Sequence, residues 1–304
     1  KPQTISKEST NSKRIKNFDE FNKSIKLSTP YYSIDSLYSN PPQYDIYISG
    51  SDQLWNPEQP FPIEPYFLTF VRNSSAKKIS YASSIGISSL DSSQIKDFSR
   101  WLSSYDAISV REPDAAKILQ PHLKQKIEIV ADPTFLLDVK EWKLLACDYS
   151  ERGYILCFML GLQPALLNEA LRVSNNLGKK LIVIGQRNIP KDKRYTLIDD
   201  AGPKEFLGLI KSSDCVFTDS FHGTVFSILL GVKNFFSYVA KGNRRASRLE
   251  TLLSPLGLLD RIIRNDDFSK VDGLLKRGID VEKLNIMLED ESNVSRRFLD
   301  KYIK

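Results

Sequence analysis

From about residue 44 onward, short runs of β-branched and aromatic residues alternate with segments of helical spacing. Several runs are almost continuously apolar, which is typical of strands buried on both faces of a parallel sheet. The predicted strands cover 44–49, 77–83, 105–110, 127–132, 154–160, 180–185, 215–220 and 234–239. This strand–helix–strand repetition predicts an α/β fold with mostly parallel sheets.

The intervening segments place apolar residues three and four positions apart. Ile95, Phe98 and Leu102 form such a stripe behind serines suited to an N-cap, and Gly178 is a suitable C-terminal cap. Helices are predicted over 92–105, 112–120, 163–178, 203–213, 245–257 and 281–304.

A chain of 304 residues can form two domains of about 150 residues each. The polar stretch 149–153 separates two strand–helix sets, so we expect an N-terminal domain over 1–150 and a C-terminal domain over 151–265. Residues 266–304 would form a linker and a helix that packs back. Ligands of such folds bind at the carboxyl ends of strands, so a cleft between the domains is the expected site.

The net charge of +6 is unevenly distributed, because residues 1–26 carry seven Lys/Arg against three Asp/Glu. A basic arm of this kind is more often a solvated face or leader than a nucleic-acid site, so no nucleic-acid partner is expected. No apolar run approaches the roughly 18 residues of a membrane span. Peripheral contact with an acidic membrane surface stays open as a weaker alternative.

The cysteines Cys147, Cys157 and Cys215 lack metal-ligand spacing, and neither histidine neighbours a cysteine. No metal is therefore expected. Two of the thiols lie in apolar strand runs, which favours a reducing compartment, the cytoplasm. The sequence also lacks the glycine motif of dinucleotide binding, the P-loop and the hydrolase nucleophile elbow, so no cofactor is expected.

The segment 215–231 carries the strongest chemical signal. A buried strand ends near Thr218 and a helix opens near Gly223, so the positive end of the helix dipole would face any anion bound there. His222 lies at the mouth of this turn, where a role as general acid is favoured over a structural role. The residues expected to bind substrate here are Asp219, Ser220, Phe221, Gly223 and Thr224.

Four arginines are candidates for binding an anionic substrate. Arg111 directly follows a predicted strand, and its guanidinium could hold a carboxylate or phosphate in a bidentate contact; an ion pair with Glu112 is the alternative. Arg244, Arg245 and Arg248 gather at the first turn of a predicted helix. Positive charge at the N-terminal end of a helix is unfavourable unless a bound anion compensates for it, so the cluster indicates an anion site. A solvated basic face is the alternative.

Polar side chains also surround an aromatic ring in the segment 48–56, again after a strand. Such a cluster suits a carbohydrate, and Asp52 could accept the proton of a sugar hydroxyl; a turn-capping aspartate is the alternative. The residues expected to bind the sugar are Gly50, Ser51, Gln53, Trp55 and Asn56.

Six segments of these regions occur together in one order. They are G-S-D-Q-L-W-N (50–56), S-Y-A-S-S-I-G (80–86), S-V-R-E (109–112), D-P-T-F-L-L-D (132–138), T-D-S-F-H-G-T-V-F-S-I (218–228) and the leucine-rich end 248–261. Together they resemble the polysaccharide pyruvyl transferase family. The resemblance implies a GT-B-like fold of two Rossmann-like domains facing across a cleft. The N-terminal domain would serve the acceptor and the C-terminal domain phosphoenolpyruvate.

The resemblance also implies a reaction in which phosphoenolpyruvate is co-substrate. Its pyruvyl group would pass to two hydroxyls of a sugar or lipid-linked saccharide as a ketal, with release of phosphate, in the cytoplasm or at the inner face of the membrane. His222 would protonate the vinyl carbon, Arg111 and the turn 220–224 would anchor the anionic groups, and Asp52 would deprotonate the attacking hydroxyl.

The sequence departs from the family pattern in two places. Family members begin with a further strand and a glycine-containing loop, so we expect a truncated chain. Some members carry an arginine two residues before the histidine, where this sequence has Ser220. Anion binding would then depend on Arg111 or on the cluster 244–248.

Two other functions stay open at this point. One is a GT-B glycosyltransferase that uses a nucleotide sugar, disfavoured because no two glutamates stand eight apart after residue 150. The other is a non-catalytic, sugar-binding relative.

Overall fold

The predicted α/β class is confirmed by two separate sheets of parallel strands. The structure, a computed structural model, describes residues 12–73, 75–185, 189–242 and 246–304. The strands are β1 (Ile46–Gly50), β2 (Lys77–Ser83), β3 (Ala107–Val110), β4 (Ile127–Ile129), β5 (Tyr154–Met159), β6 (Leu181–Gly185), β7 (Thr196–Ile198), β8 (Ser213–Thr218), β9 (Asn234–Val239) and β10 (Ile262–Arg264).

Helices connect and cover these strands. They are α1 (Ser12–Asn22), α2 (Ile34–Ser39), α3 (Ser92–Leu102), α4 (Pro113–Leu119), α5 (Val139–Leu145), α6 (Pro164–Leu177), α7 (Pro203–Lys211), α8 (Phe221–Leu229), α9 (Ala246–Leu253), α10 (Val271–Arg277) and α11 (Val281–Ile303). No helix of the described residues combines the length and apolar character that a membrane crossing needs.

The first sheet has four strands in the order β1-β2-β3-β4, each parallel to its neighbour. All four strands therefore present their carboxyl ends at the same edge. Residues that follow neighbouring strands are brought side by side there, although they lie far apart in the chain.

Strand β2 contains an irregularity near that edge. The register with β3 shifts between Ser80 and Ser83, and Ala82 adopts a left-handed φ of 51°. Two serine side chains stabilise the distortion, since the Ser109 Oγ accepts from the Ala82 N–H at 3.1 Å and the Ser83 Oγ donates to the Ser49 carbonyl at 3.1 Å. Bulges of this kind redirect the residues that follow a strand.

The second sheet has six strands in the order β10-β9-β8-β5-β6-β7, again all parallel. The chain builds one half outward from β5, then returns to place β8 beside β5 and builds the other half. This is the Rossmann-type order, and the two halves separate at the boundary between β5 and β8. Ligands of such sheets bind outside the carboxyl ends of the strands at this boundary.

The described residues divide into two compact units. The four-stranded unit comprises Leu27–Leu137, Gly242–Asp260 and Glu282–Lys304. The six-stranded unit comprises the described residues up to Lys26 together with Asp138–Lys241 and Arg261–Val281. These divisions differ from the boundaries expected at residues 150 and 265, because side-chain packing rather than chain order assigns the connecting segments.

Helix α5 shows why the division comes earlier than expected. The Trp142 ring meets the Phe226 ring edge-on at 5.0 Å, and the Cys147 N–H donates to the Lys204 carbonyl at 3.1 Å. Both partners belong to the six-stranded unit, so residues 138–150 are part of it.

The C-terminal helix α11 belongs to the four-stranded unit. Phe298 packs against Tyr81 of β2 at 6.2 Å between ring centroids, and the Ser295 Oγ accepts from the Ala131 N–H at 2.9 Å. Residues 282–304 therefore cover the first sheet.

The described part of the basic N-terminal region forms helix α1. The Asn17 Nδ2 donates to the Asp200 carbonyl at 3.1 Å, and Lys13 forms an exposed ion pair with Asp200. The described part of the basic arm is thus docked on the six-stranded unit.

A buried arginine ties α10 to the second sheet. Arg261 is completely buried, and its guanidinium donates to Asn234 Oδ1 at 3.1 Å, to the Leu274 carbonyl at 3.3 Å and to the Gly278 carbonyl at 2.7 Å. The two carbonyls lie at the C-terminal end of α10, where the Leu274 carbonyl also accepts from the Gly278 N–H at 3.0 Å. Arg261 therefore caps this helix.

We expect Arg261→Met to lower the free energy of unfolding by about 2–4 kcal/mol, because the substitution removes the hydrogen bonds that the guanidinium donates to Asn234 and to the Leu274 and Gly278 carbonyls. Urea unfolding followed by circular dichroism measures this loss. Lys276→Met is the matched control, since Lys276 is exposed on α10. A loss no greater than that of the control would contradict the capping role.

Candidate active site

Arg111 organises the carboxyl edge of the four-stranded sheet. Its side chain is only 5% exposed, and it contacts three carboxylates that follow three different strands. NH1 donates to Asp132 Oδ2 at 2.6 Å, Nε donates to Glu112 Oε1 at 3.3 Å, and NH2 lies 3.5 Å from Asp52 Oδ1. Burial works against the charge of Arg111, but the three carboxylates outweigh it and raise the pKa of the guanidinium.

Asp132 holds Arg111 in place. Its carboxyl group is almost fully buried, and Oδ1 accepts from the Thr134 N–H at 3.1 Å and the Thr134 hydroxyl at 2.8 Å. The Ser51 hydroxyl lies 3.4 Å from Oδ2. No role was predicted for Asp132. Its position at the end of the predicted strand 127–132, whose carboxyl end meets that of the strand before Arg111, is the signal that could have identified it.

Glu112 is the second buried carboxylate that lacked an assigned role. Its Oε1 accepts from the Ser84 hydroxyl at 2.6 Å. Burial raises the pKa of the Glu112 carboxyl, opposed by the nearby charge of Arg111. Sequence reasoning considered Glu112 only as an ion-pair partner of Arg111, and that contact is present.

Asp52 is the one exposed carboxylate of this group, with 62% of its side chain open to solvent. It adopts a left-handed φ of 57°, a conformation that aspartate tolerates better than most residues. Gly50, at the end of β1, has a simpler reason to be glycine, because a Cβ there would collide with the Tyr81 carbonyl of β2.

The side chains of Trp55 and Asn56 are buried and are not accessible to a ligand. The Trp55 ring is completely buried, stacks on Phe67 at 4.7 Å and donates from Nε1 to the Tyr66 carbonyl at 3.2 Å. Asn56 is 1% exposed, and its Oδ1 accepts from the Glu58 N–H at 2.9 Å. Instead of packing on a sugar, these residues anchor the loop that carries Asp52.

Gln53 instead connects that loop to α9. With its amide oriented so that the oxygen faces Arg248, the oxygen accepts from NH1 at 2.8 Å and from NH2 at 2.9 Å. Arg248 therefore belongs to the same edge as Arg111. The other two arginines of the predicted cluster, Arg244 and Arg245, lie outside the described residues.

The second group of predicted residues lies at the boundary between β5 and β8 in the six-stranded unit. Asp219 follows β8, and its Oδ1 accepts from the Leu160 N–H, which follows β5, at 2.8 Å. Burial raises the pKa of the Asp219 carboxyl against the effect of this hydrogen bond. Asp219 thus fixes the two loops that border the place where Rossmann-type sheets bind ligands.

Helix α8 begins at this boundary with Ser220 as its N-cap. The Ser220 Oγ accepts from the Gly223 N–H at 3.2 Å. The Thr224 hydroxyl is fully buried and lies 2.7 Å from the Ser237 hydroxyl of β9. A Cβ on Gly223 would collide with the Thr218 side chain and approach Phe158 to 3.0 Å. Thr224 and Gly223 therefore serve the packing of α8 on the sheet.

His222 is the second residue of α8 and is half-buried. Its ring meets the ring of Phe221, itself 9% exposed, edge-on at 5.4 Å between centroids. The histidine stands in the first turn of the helix, at its positive end. This is the placement that the sequence predicted for it.

The predicted residues thus form two groups on two units. Asp52, Gln53, Arg111 and Arg248 meet in the four-stranded unit, whereas Asp219, Ser220 and His222 meet in the six-stranded unit. Within the part of the chain that the structure describes, no group of three or more His, Cys, Asp and Glu side chains could hold a metal ion.

Comparison with protein families gives one match, the model described as polysaccharide pyruvyl transferase, over residues 4–238. The chain belongs to the polysaccharide pyruvyl transferase family. The match includes all of the four-stranded sheet, the six-stranded sheet except Val239 of β9 and the strand β10, and all the predicted site residues except Arg244, Arg245 and Arg248. Comparison with curated proteins gives no significant match.

One solved structure supports the GT-B-like fold of this family member. It is described as a putative UDP-N-acetylglucosamine 2-epimerase from Listeria monocytogenes and is similar with a TM-score of 0.55 and 12% identity, over 94% of this chain and 77% of that chain. The UDP-N-acetylglucosamine 2-epimerase from Rickettsia bellii gives a TM-score of 0.49 and 10% identity, over 98% and 81% of the two chains. At such identities the likeness concerns the fold alone.

We expect Gly223→Ala to destabilise the protein by about 1–3 kcal/mol, because the added methyl group overpacks the contact between α8 and Thr218. Gly273→Ala is the matched control: a Cβ there meets nothing within 4 Å, and the glycine lies inside α10. The control should be neutral or slightly stabilising. Urea unfolding measures the free energy of unfolding of both variants. Equal values for Gly223→Ala and Gly273→Ala would contradict the close packing at Gly223.

We expect Arg111→Met to cost about 3–5 kcal/mol of stability, because it leaves buried carboxylates without their cation. The loss should be larger at pH 8 than at pH 5: without Arg111 the folded-state pKa of these carboxyls rises, so stability falls as they ionise. Arg100→Met, which breaks an exposed pair with Asp97, should change stability by less than about 1 kcal/mol. A pH-independent loss for Arg111→Met would contradict this account.

Proposed function

We propose that this family member transfers the pyruvyl group of phosphoenolpyruvate to two hydroxyls of a sugar in a polysaccharide or its precursor. The product is a pyruvate ketal, and phosphate is released. The observation that carries the proposal is the position of His222 on the first turn of α8, beside the strand-order change of the six-stranded sheet.

The chemistry needs one proton donor and one proton acceptor. The methylene carbon of phosphoenolpyruvate gains a proton, while its C2 gains bonds to two sugar oxygens and loses the bond to the phosphate oxygen. Of the two hydroxyl protons released, one balances the proton added to carbon and the other leaves with phosphate. Positive charge develops at C2 during these steps.

His222 suits the donor role in this scheme. The positive end of α8 favours an anion at the same place, and both the carboxylate and the phosphate of phosphoenolpyruvate are anionic. The Asp219–Leu160 hydrogen bond and the Ser220 cap hold the first turn in position before substrate arrives. The histidine is half-buried, so its ring is partly shielded from solvent.

Asp52 suits the acceptor role, as the exposed carboxylate on an otherwise buried network. Arg111 stands beside it at 3.5 Å and is itself fixed by Asp132. Because its guanidinium is engaged with three carboxylates, we assign Arg111 to positioning Asp52 rather than to binding phosphoenolpyruvate. The task of binding the acceptor then falls to Asp52 and its loop.

The proposal includes a cytoplasmic location for the reaction. Cys147, Cys157 and Cys215 are free thiols, and two of them are buried in the neighbouring strands β5 and β8. A lipid-linked saccharide acceptor would bring the protein to the inner face of the membrane.

Incubation with phosphoenolpyruvate and a galactose-type acceptor tests the proposal. We expect acceptor-dependent release of phosphate and a product heavier by one pyruvyl ketal, measured by mass spectrometry. Release of nucleotide from a sugar nucleotide, with no phosphate from phosphoenolpyruvate, would overturn it in favour of a glycosyltransferase.

We expect His222→Ala to lower kcat by about 10²- to 10⁴-fold, the usual contribution of a general acid. His122→Ala is the matched control, since His122 is exposed in the four-stranded unit. It should retain the activity of the unmodified protein. A His222→Ala variant that is folded and fully active would exclude the general-acid role.

A further inference from the structure

Glu112 stands apart from the other carboxylates of the Arg111 cluster. It is 4% exposed, and its Oε1 accepts from the Ser84 hydroxyl and from Arg111 Nε. Among the described residues its other oxygen, Oε2, has no hydrogen-bond partner. Neither Asp132 nor Asp52 shares this combination, because Asp132 uses both oxygens and Asp52 is exposed.

The free-energy cost of burying the Glu112 side chain differs between its ionised and its neutral form. An ionised carboxylate spreads its charge over both oxygens, and leaving one of them buried without a donor is expensive. A neutral carboxylic acid avoids most of that cost. The cations that face Glu112 are Arg111 and Arg248, and Arg111 is already shared with Asp132 and Asp52.

The contact distances indicate where the charge of Arg111 is directed. Its NH1 meets Asp132 at 2.6 Å, whereas its Nε meets Glu112 at 3.3 Å. Asp132 is therefore the stronger counterion. A neutral Glu112 leaves the charge of this guanidinium to Asp132 and Asp52.

We propose that Glu112 is a neutral carboxylic acid in the folded protein and acts as a positioning residue, which leaves the charge of Arg111 to Asp132 and Asp52. Ionisation of Glu112 would add a third carboxylate that competes for Arg111 and weakens its hold on Asp52. The consequence for catalysis rests on the function proposed above for Asp52. The protonation state of Glu112 does not depend on that function. Burial that raises the pKa of Glu112 is consistent with it.

Carbon-13 NMR of the full chain labelled at the glutamate side-chain carboxyls tests the protonation state. The signal that disappears in Glu112→Gln belongs to Glu112, and we expect it to be that of a protonated carboxyl at pH 7, where an ordinary glutamate, with a pKa of about 4.3, is ionised. A signal of the ionised carboxylate at pH 7 would overturn the proposal. Glu289→Gln, at an exposed residue of α11, is the matched control and should leave the Glu112 signal in place.

Ser84→Ala provides a second route that does not depend on the folding of Glu112→Gln. Its hydroxyl donates to Oε1 and favours the ionised form, so its removal should raise the titration midpoint of Glu112 further. If no glutamate signal shifts in Ser84→Ala, that result would contradict the proposal.

Stability supplies an independent readout. A carboxyl whose folded-state pKa is raised contributes stability below its unfolded pKa and loses it as pH rises through the folded value. Glu112→Gln should therefore gain stability relative to the unmodified protein as pH increases, whereas Glu289→Gln should not. A difference between Glu112→Gln and the unmodified protein that is flat with pH would contradict a neutral Glu112.

Kinetics tests the link to catalysis. Glu112→Gln, which mimics the neutral acid, should keep kcat within about threefold, whereas Glu112→Ala should lower it by tenfold or more. The unmodified protein should lose kcat as Glu112 ionises, and Glu112→Gln should not. A tenfold loss in folded Glu112→Gln would overturn the positioning role. If the unmodified protein transfers no pyruvyl group, the function proposed above fails, while the NMR result still decides the protonation state.

Discussion

A guanidinium buried among three carboxylates is the interaction on which the carboxyl edge of the four-stranded sheet depends. Arg111 cannot leave this network without stranding Asp132 and Glu112 in a poorly solvated environment. It also cannot be exchanged for lysine without loss, because one planar fork reaches three partners in three directions. The edge is thereby held rigid, and Asp52 is the part of it that solvent reaches.

In the six-stranded unit, the strand order and the start of a helix position the candidate residues. The strand order places the β5 and β8 loops next to each other, and the Asp219 carboxylate joins them. Helix α8 then starts where the chain changes direction, so His222 lies at a helix N-terminus. One unit therefore positions its chemistry with ion pairs and the other with a turn and a cap.

Much of the fold could be predicted from periodicity. The eight predicted strands are present, and the helix over 163–178 ends at Gly178 in the left-handed conformation expected of a cap. Strands β7 and β10 and helices α1, α2, α5 and α10 were not predicted. Length alone does not explain this, because β4 and α4 are as short as β7 and α5 and were predicted from the longer runs 127–132 and 112–120 in which they lie.

By itself the sequence determined the α/β class, the family and the placement of His222, since strand and helix periodicity and the order of motifs are local properties. Only the tertiary structure decided the surroundings of each candidate. It buried the Trp55 ring that a sugar was expected to contact, and it gathered Asp132 and Glu112 around Arg111. Burial and ion pairing depend on which strands become neighbours, and no stretch of chain around a single residue contains that information.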